Sequence, residues 1–136
     1  MNIKNELSKL GQHIDLILYC AATQKIDPLV LLSIALLENV NRPFWVRKIE
    51  YFFYFTGLVK IQTFGLMQIR SKIPISDEES IEIAAKYVHQ IGSNDIYKIG
   101  NTYNGSNEYA KCLNYVYLHL TQLTNTRIST QGVSAN

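Results

Sequence analysis

Pro28-Leu29-Val30-Leu31-Leu32-Ser33-Ile34-Ala35-Leu36-Leu37-Glu38-Asn39-Val40 is apolar on nearly every side of a helix until it reaches Glu38. A surface helix keeps a polar face, so a helix without one belongs in the middle of a domain, with neighbours on most sides. Asp27 stands in front of it as an N-cap. Pro28 takes the first helical position, where its missing N–H costs nothing. Asn41-Arg42-Pro43 breaks it off. A 136-residue chain with 47% hydrophobic residues has room for one real core and no second one. The fold class expected is therefore all-α, a single helical domain built around this segment.

Working outward towards the N-terminus, Leu7, Leu10, Ile14, Ile17 and Ala21 recur at steps of three and four, with Leu18 and Cys20 widening the stripe. This pattern predicts one amphipathic helix over residues 6–23, weakened in its first half by Gly11. On the other side, residues 44–64 are crowded with aromatics that follow neither helical nor strand period. They read as an irregular excursion covering the core, with Trp45 as a candidate stacking surface. Arg70 to Ile75 reads as a surface loop. Ser76-Asp77-Glu78-Glu79 is a capping box that opens a helix with Ile81, Ile83, Ala84, Ala85, Tyr87 and Val88 on its apolar side. Gly92-Ser93-Asn94 ends that helix. A short helix through Ile96, Tyr97 and Ile99 leads to a turn at Tyr103-Asn104-Gly105. The last helix is expected over residues 108–123, burying Tyr109, Cys112, Leu113, Val116 and Leu120. This places the domain at 1–123 and leaves 124–136 as a polar, flexible tail.

Charged residues make up 18% and the net charge is +2, with no Lys/Arg block, so a nucleic-acid-coating or DNA-binding role has no electrostatic basis. An anionic polymer is compatible with the mild positive excess. Cys20 and Cys112 match no metal spacing and read as two buried free thiols. No metal and no cofactor is expected. Arg47, Lys48, Glu50 and Lys60 interrupt the aromatic stretch, so no membrane span is expected. Met1-Asn2-Ile3-Lys4-Asn5-Glu6 lacks the basic region and unbroken apolar core of a secretory signal.

Glu38 is the exception in the central helix. A carboxylate there either reaches water at a rim or sits in a poorly solvated cleft, where its pKa would rise above the usual value of about 4.3 towards that of a general acid. Gly65-Leu66-Met67-Gln68-Ile69 sets a glycine, a soft thioether and a neutral amide side by side, which suits the wall of a groove.

Three landmarks thus stand in a fixed order: Asp27-Pro28-Leu29 through Glu38, then Gly65-Leu66-Met67-Gln68, then Tyr103-Asn104-Gly105-Ser106 followed by Tyr109-Ala110-Lys111. In that order the chain resembles the lytic transglycosylase and goose-type lysozyme superfamily over residues 10–120. It departs from the pattern at Asn39, where many members carry serine. The gap between Glu38 and Gly65 is longer than usual, and Thr63-Phe64 replaces a small-residue segment.

The resemblance implies a lysozyme-like fold with a substrate groove and cleavage of the bond between N-acetylmuramic acid and N-acetylglucosamine in peptidoglycan. Glu38 would protonate the departing oxygen. Acting next as a base, it would take the proton of the sugar's 6-hydroxyl, and the substrate's own acetamido group would assist the anomeric centre, giving a 1,6-anhydro product. The resemblance assigns substrate binding to Gln68, Met67, Tyr103, Asn104 and Asn39, with Thr63 in place of the family's hydroxyl. Tyr103 would orient Glu38 or the acetamido group. A hydrolytic muramidase would need a second carboxylate, about 6.5–9.5 Å away in an inverting enzyme. Glu50 and Asp77 are the acids in the right stretch, and neither stands in a recognisable motif. A non-catalytic glycan- or protein-binding module on the same fold is the other alternative. The partners implied are peptidoglycan strands and an immunity or secretion-apparatus protein. The protein would be made in the cytoplasm and act in the periplasm or on the wall after specialised export or lysis.

Overall fold

The computed structural model describes residues 2–41, 62–64, 67, 69–71 and 76–135, without the side chains of 41, 62–64, 69–71 and 126–135. Among the described residues the chain forms six helices and one small hairpin: α1 (Ile3–Leu10), α2 (His13–Thr23), α3 (Pro28–Asn41), β1 (Gln62–Phe64), β2 (Ile69–Ser71), α4 (Asp77–Ile91), α5 (Ile96–Asn104) and α6 (Asn107–Ala135). The architecture is all-α, as its sequence pattern predicts. The expectations for residues 44–61, including Trp45 and Glu50, lie outside the described residues.

Helix α3 is the axis of the domain. Residues 30–38 are buried without interruption, and α1, α2, α4 and α6 all pack against it. Its start is built as the sequence requires, with Asp27 Oδ1 accepting from the Leu29 N–H at 2.9 Å. The other carboxylate oxygen accepts from the Tyr117 hydroxyl at 2.6 Å, so the same cap ties α3 to α6. Ser33, fully buried, resolves its polarity inside the helix by donating to the Leu29 carbonyl at 2.6 Å.

The single N-terminal helix expected over residues 6–23 is two helices. Gly11 adopts φ +48°, a conformation that L side chains rarely take, and its N–H closes α1 on the Leu7 carbonyl at 3.3 Å. The physical reason lies in packing. The break lets Ile3 and Leu10 face α3 and α6, while Ile17, Cys20 and Ala21 face α3 and α4.

Helix α4 begins at the expected capping box, with Ser76 Oγ accepting from the Glu79 N–H at 3.1 Å, and ends on left-handed Gly92. Ile83, counted from sequence on its apolar side, is 40% exposed. The segment read as a loop from Arg70 begins instead with a strand, Ile69–Ser71, paired antiparallel with Gln62–Phe64. Strands of three residues are too short for a period of two to register. Helix α6 continues to Ala135, past the end expected at Leu123. Cys20 is a buried thiol, but Cys112 is exposed. Ala110 extends the buried arc of α6 on the side away from Cys112, and the cysteine falls beyond its opposite edge.

Helices α5 and α6 approach closely at Gly100. A Cβ placed on Gly100 would lie 2.8 Å from the Ala110 Cα and 3.1 Å from its Cβ. No described helix is long and apolar enough to cross a membrane.

Candidate functional site around Glu38

Glu38 lies in the last turn of α3 and is only 6% exposed. A buried carboxylate needs hydrogen-bond donors. One comes from the first turn of α6, where the Tyr109 hydroxyl donates to Glu38 Oε1 at 2.8 Å. The position of Tyr109 follows from the turn before it. Gly105 closes α5 in a left-handed conformation (φ 81°), its N–H bonded to the Asn101 carbonyl at 2.7 Å. Ser106 then caps α6, its Oγ accepting from the Tyr109 N–H at 3.3 Å. This tight reversal stacks Tyr103, near the end of α5, on Tyr109, with ring centroids 6.3 Å apart and planes 15° from parallel.

The Tyr103 hydroxyl, which the resemblance assigns to orienting Glu38 or the acetamido group, donates to the Met67 carbonyl at 3.0 Å. Tyr109 makes the direct contact with the acid. Behind Tyr103 stands Tyr87 of α4, with centroids 5.5 Å apart and its own hydroxyl on the Thr102 carbonyl at 3.0 Å. Burial first, and then the nearby Glu38 charge, push the ionisation of both Tyr103 and Tyr109 far above the ordinary phenol range. Both rings therefore stay protonated, and Tyr109 is a permanent donor to the acid.

These raised values fix a pH dependence of folding. An unfolded tyrosine loses its proton near about pH 10, whereas the folded chain keeps both. Above that pH the folded state binds more protons than the unfolded one, so stability falls as pH rises. The contribution is complete below about pH 10. Denaturant midpoints measured across the alkaline range should drop from about pH 10 upward, and Tyr109→Phe should soften the drop.

Met67, assigned to substrate binding, is fully buried. Its carbonyl is held by Tyr103, and its N–H donates to Ser80 Oγ at 3.2 Å. Its side chain is therefore part of the core. Asn39 is half-buried beside Glu38, and Asn104 is exposed at the end of α5. Thr63 lies in β1, paired with Arg70, and nothing is described of its side chain. Gln68 lies outside the described residues. Asp77 opens α4, with its carboxylate 3.7 Å from His13 Nε2.

The structure thus brings together Glu38 of α3, Met67 between the two strands, Tyr103 of α5 and Tyr109 of α6. Sequence reasoning missed the direct role of Tyr109, which it counted as core. The signal was present: the hydroxyl of a tyrosine in an otherwise aliphatic stripe needs a partner once buried. A separate cleft of about 400 Å3, lined by Lys25, Asp27, Val30, Val88, His89 and Tyr117 among others, lies at the opposite end of α3, and Glu38 is not among its lining residues. Among the described residues no group of three or more His, Cys, Asp or Glu could hold a metal ion. The chain matches no family model, no curated protein and no solved structure with which it was compared.

Proposed function

We propose that the protein is a peptidoglycan lytic transglycosylase with Glu38 as its one catalytic acid and base. The observation that carries the reading is the convergence of the ordered motifs. Residues 38, 67, 103 and 109, distant in sequence, are joined by the Tyr109–Glu38 and Tyr103–Met67 hydrogen bonds and by the stacked rings between them. A carboxyl group shielded from water beside a neutral donor suits a group that gives up a proton to a glycosidic oxygen and then recovers one. In this reading the acetamido group of the substrate takes the part of a second carboxylate, and the 6-hydroxyl closes onto the anomeric carbon.

The test is digestion of purified sacculi with the wild-type chain and mass spectrometry of the released fragments. Anhydromuropeptides are the expected product. Reducing-end muropeptides alone would move the assignment to a hydrolase, and glycan binding without release would move it to a non-catalytic module.

Tyr109 acts in this scheme as a positioning residue. Tyr109→Phe frees the carboxyl group from the hydroxyl that holds it, and since misplacement by about 1 Å can cost about a hundredfold, kcat should fall about ten- to hundredfold with little change in KM. A proportionate rise in KM with kcat intact would instead place the hydroxyl on bound sugar.

A further inference from the structure

The hydroxyl of Ser80 is fully buried on α4 and belongs to no motif named above. It donates to the Asp77 carbonyl one helical turn back at 2.7 Å, and its oxygen accepts from the Met67 N–H at 3.2 Å. A serine hydroxyl has a single hydrogen, so the bond to Asp77 turns a lone pair towards Met67. On the other side of the same residue, the Met67 carbonyl is held by Tyr103. The two backbone groups of Met67 are therefore gripped from two helices, α4 through Ser80 and α5 through Tyr103. The second grip belongs to the ring stacked on Tyr109, which donates to Glu38.

We infer that Ser80 is a positioning residue of the site, its hydroxyl clamping the Met67 backbone and so fixing the residue on which Tyr103, the ring stacked beside the donor to Glu38, is anchored. Its effect on turnover rests on the transglycosylase reading; its effect on Met67 does not. A buried N–H left without its acceptor must find another partner or shift, and misplacement of a positioned group by about 1 Å can cost about a hundredfold in rate.

The test compares Ser80→Ala with Ser33→Ala. Ser33 is equally buried, and among the described residues its hydroxyl bonds within α3, to Leu29, so its loss measures what removal of a core hydroxyl does without the clamp. The chain has two methionines, Met1 and Met67, so a carbon-13 methyl label on methionine gives Met67 its own NMR signal. The expected result is a displaced Met67 signal and a kcat/KM for anhydromuropeptide release lowered at least about tenfold in Ser80→Ala, with Ser33→Ala matching wild type in both. An unmoved Met67 signal in Ser80→Ala, or equal losses in the two variants, overturns the clamp. A displaced signal in a protein whose wild type releases no product supports the clamp and overturns the transglycosylase reading alone.

Discussion

Glu38→Gln should leave the fold standing and reduce release of anhydromuropeptides by about a thousandfold or more, within the range in which a positioned acid–base group contributes. The amide keeps the volume of the acid and an oxygen able to accept from the Tyr109 hydroxyl, so the buried contact at 2.8 Å survives. The proton does not. A sugar alkoxide is a poor leaving group, and an amide cannot donate a proton to it or recover one from the 6-hydroxyl at neutral pH. Far-ultraviolet circular dichroism and the thermal midpoint should match wild type while sacculus digestion falls to background. Wild-type turnover in this variant would remove Glu38 from the chemistry and the proposed mechanism with it.

The second large effect is structural. In Gly100→Ala the new methyl would sit 2.8 Å from the Ala110 Cα, 3.1 Å from its Cβ and 3.4 Å from Leu113 Cδ2. The first of these atoms is backbone and cannot swing aside, so α5 must move off α6. Overpacking of this kind costs about 1–3 kcal/mol and sometimes more, and a contact against backbone belongs at the upper end. Gly105→Ala makes the contrast. Nothing lies within 4 Å of its added Cβ, and only the positive φ of 81° penalises it, at about 1–2 kcal/mol. Urea midpoints should therefore fall further for Gly100→Ala. The same displacement reaches the site, because Ala110 follows Tyr109 in the chain. Residual folded Gly100→Ala should lose activity as well as stability. A variant as stable as wild type would mean that the two helices can separate freely.

Much of this architecture was legible in the chain. A central helix could be read from residues 28–40 because a segment apolar on all sides has nowhere else to go, and Glu38 stood out for breaking that rule. The caps at Asp27 and Ser76 were legible because capping is local, spanning only three or four consecutive residues. The split at Gly11 was not, since the same stripe serves one helix or two, and only the placement of α3, α4 and α6 chooses between them. The choice of Tyr109 over Tyr103 as partner of Glu38 was hidden for a similar reason. Both hydroxyls are six residues apart across a turn, and the stacking geometry decides which one points at the acid. Exposure of Cys112 depended on which edge of α6 faced the core, and a sequence stripe leaves its edges open.

The bond between Tyr109 and Glu38 spans 71 residues of chain, and the one between Tyr103 and Met67 spans 36. Contacts of such separation form only after the intervening chain has closed, and the first of them also waits for the last helix to dock. During synthesis the acid is made early and its partner late. Until α6 has left the ribosome and folded back, Glu38 lacks its Tyr109 partner, so an unfinished or truncated chain carries the acid without the assembled site.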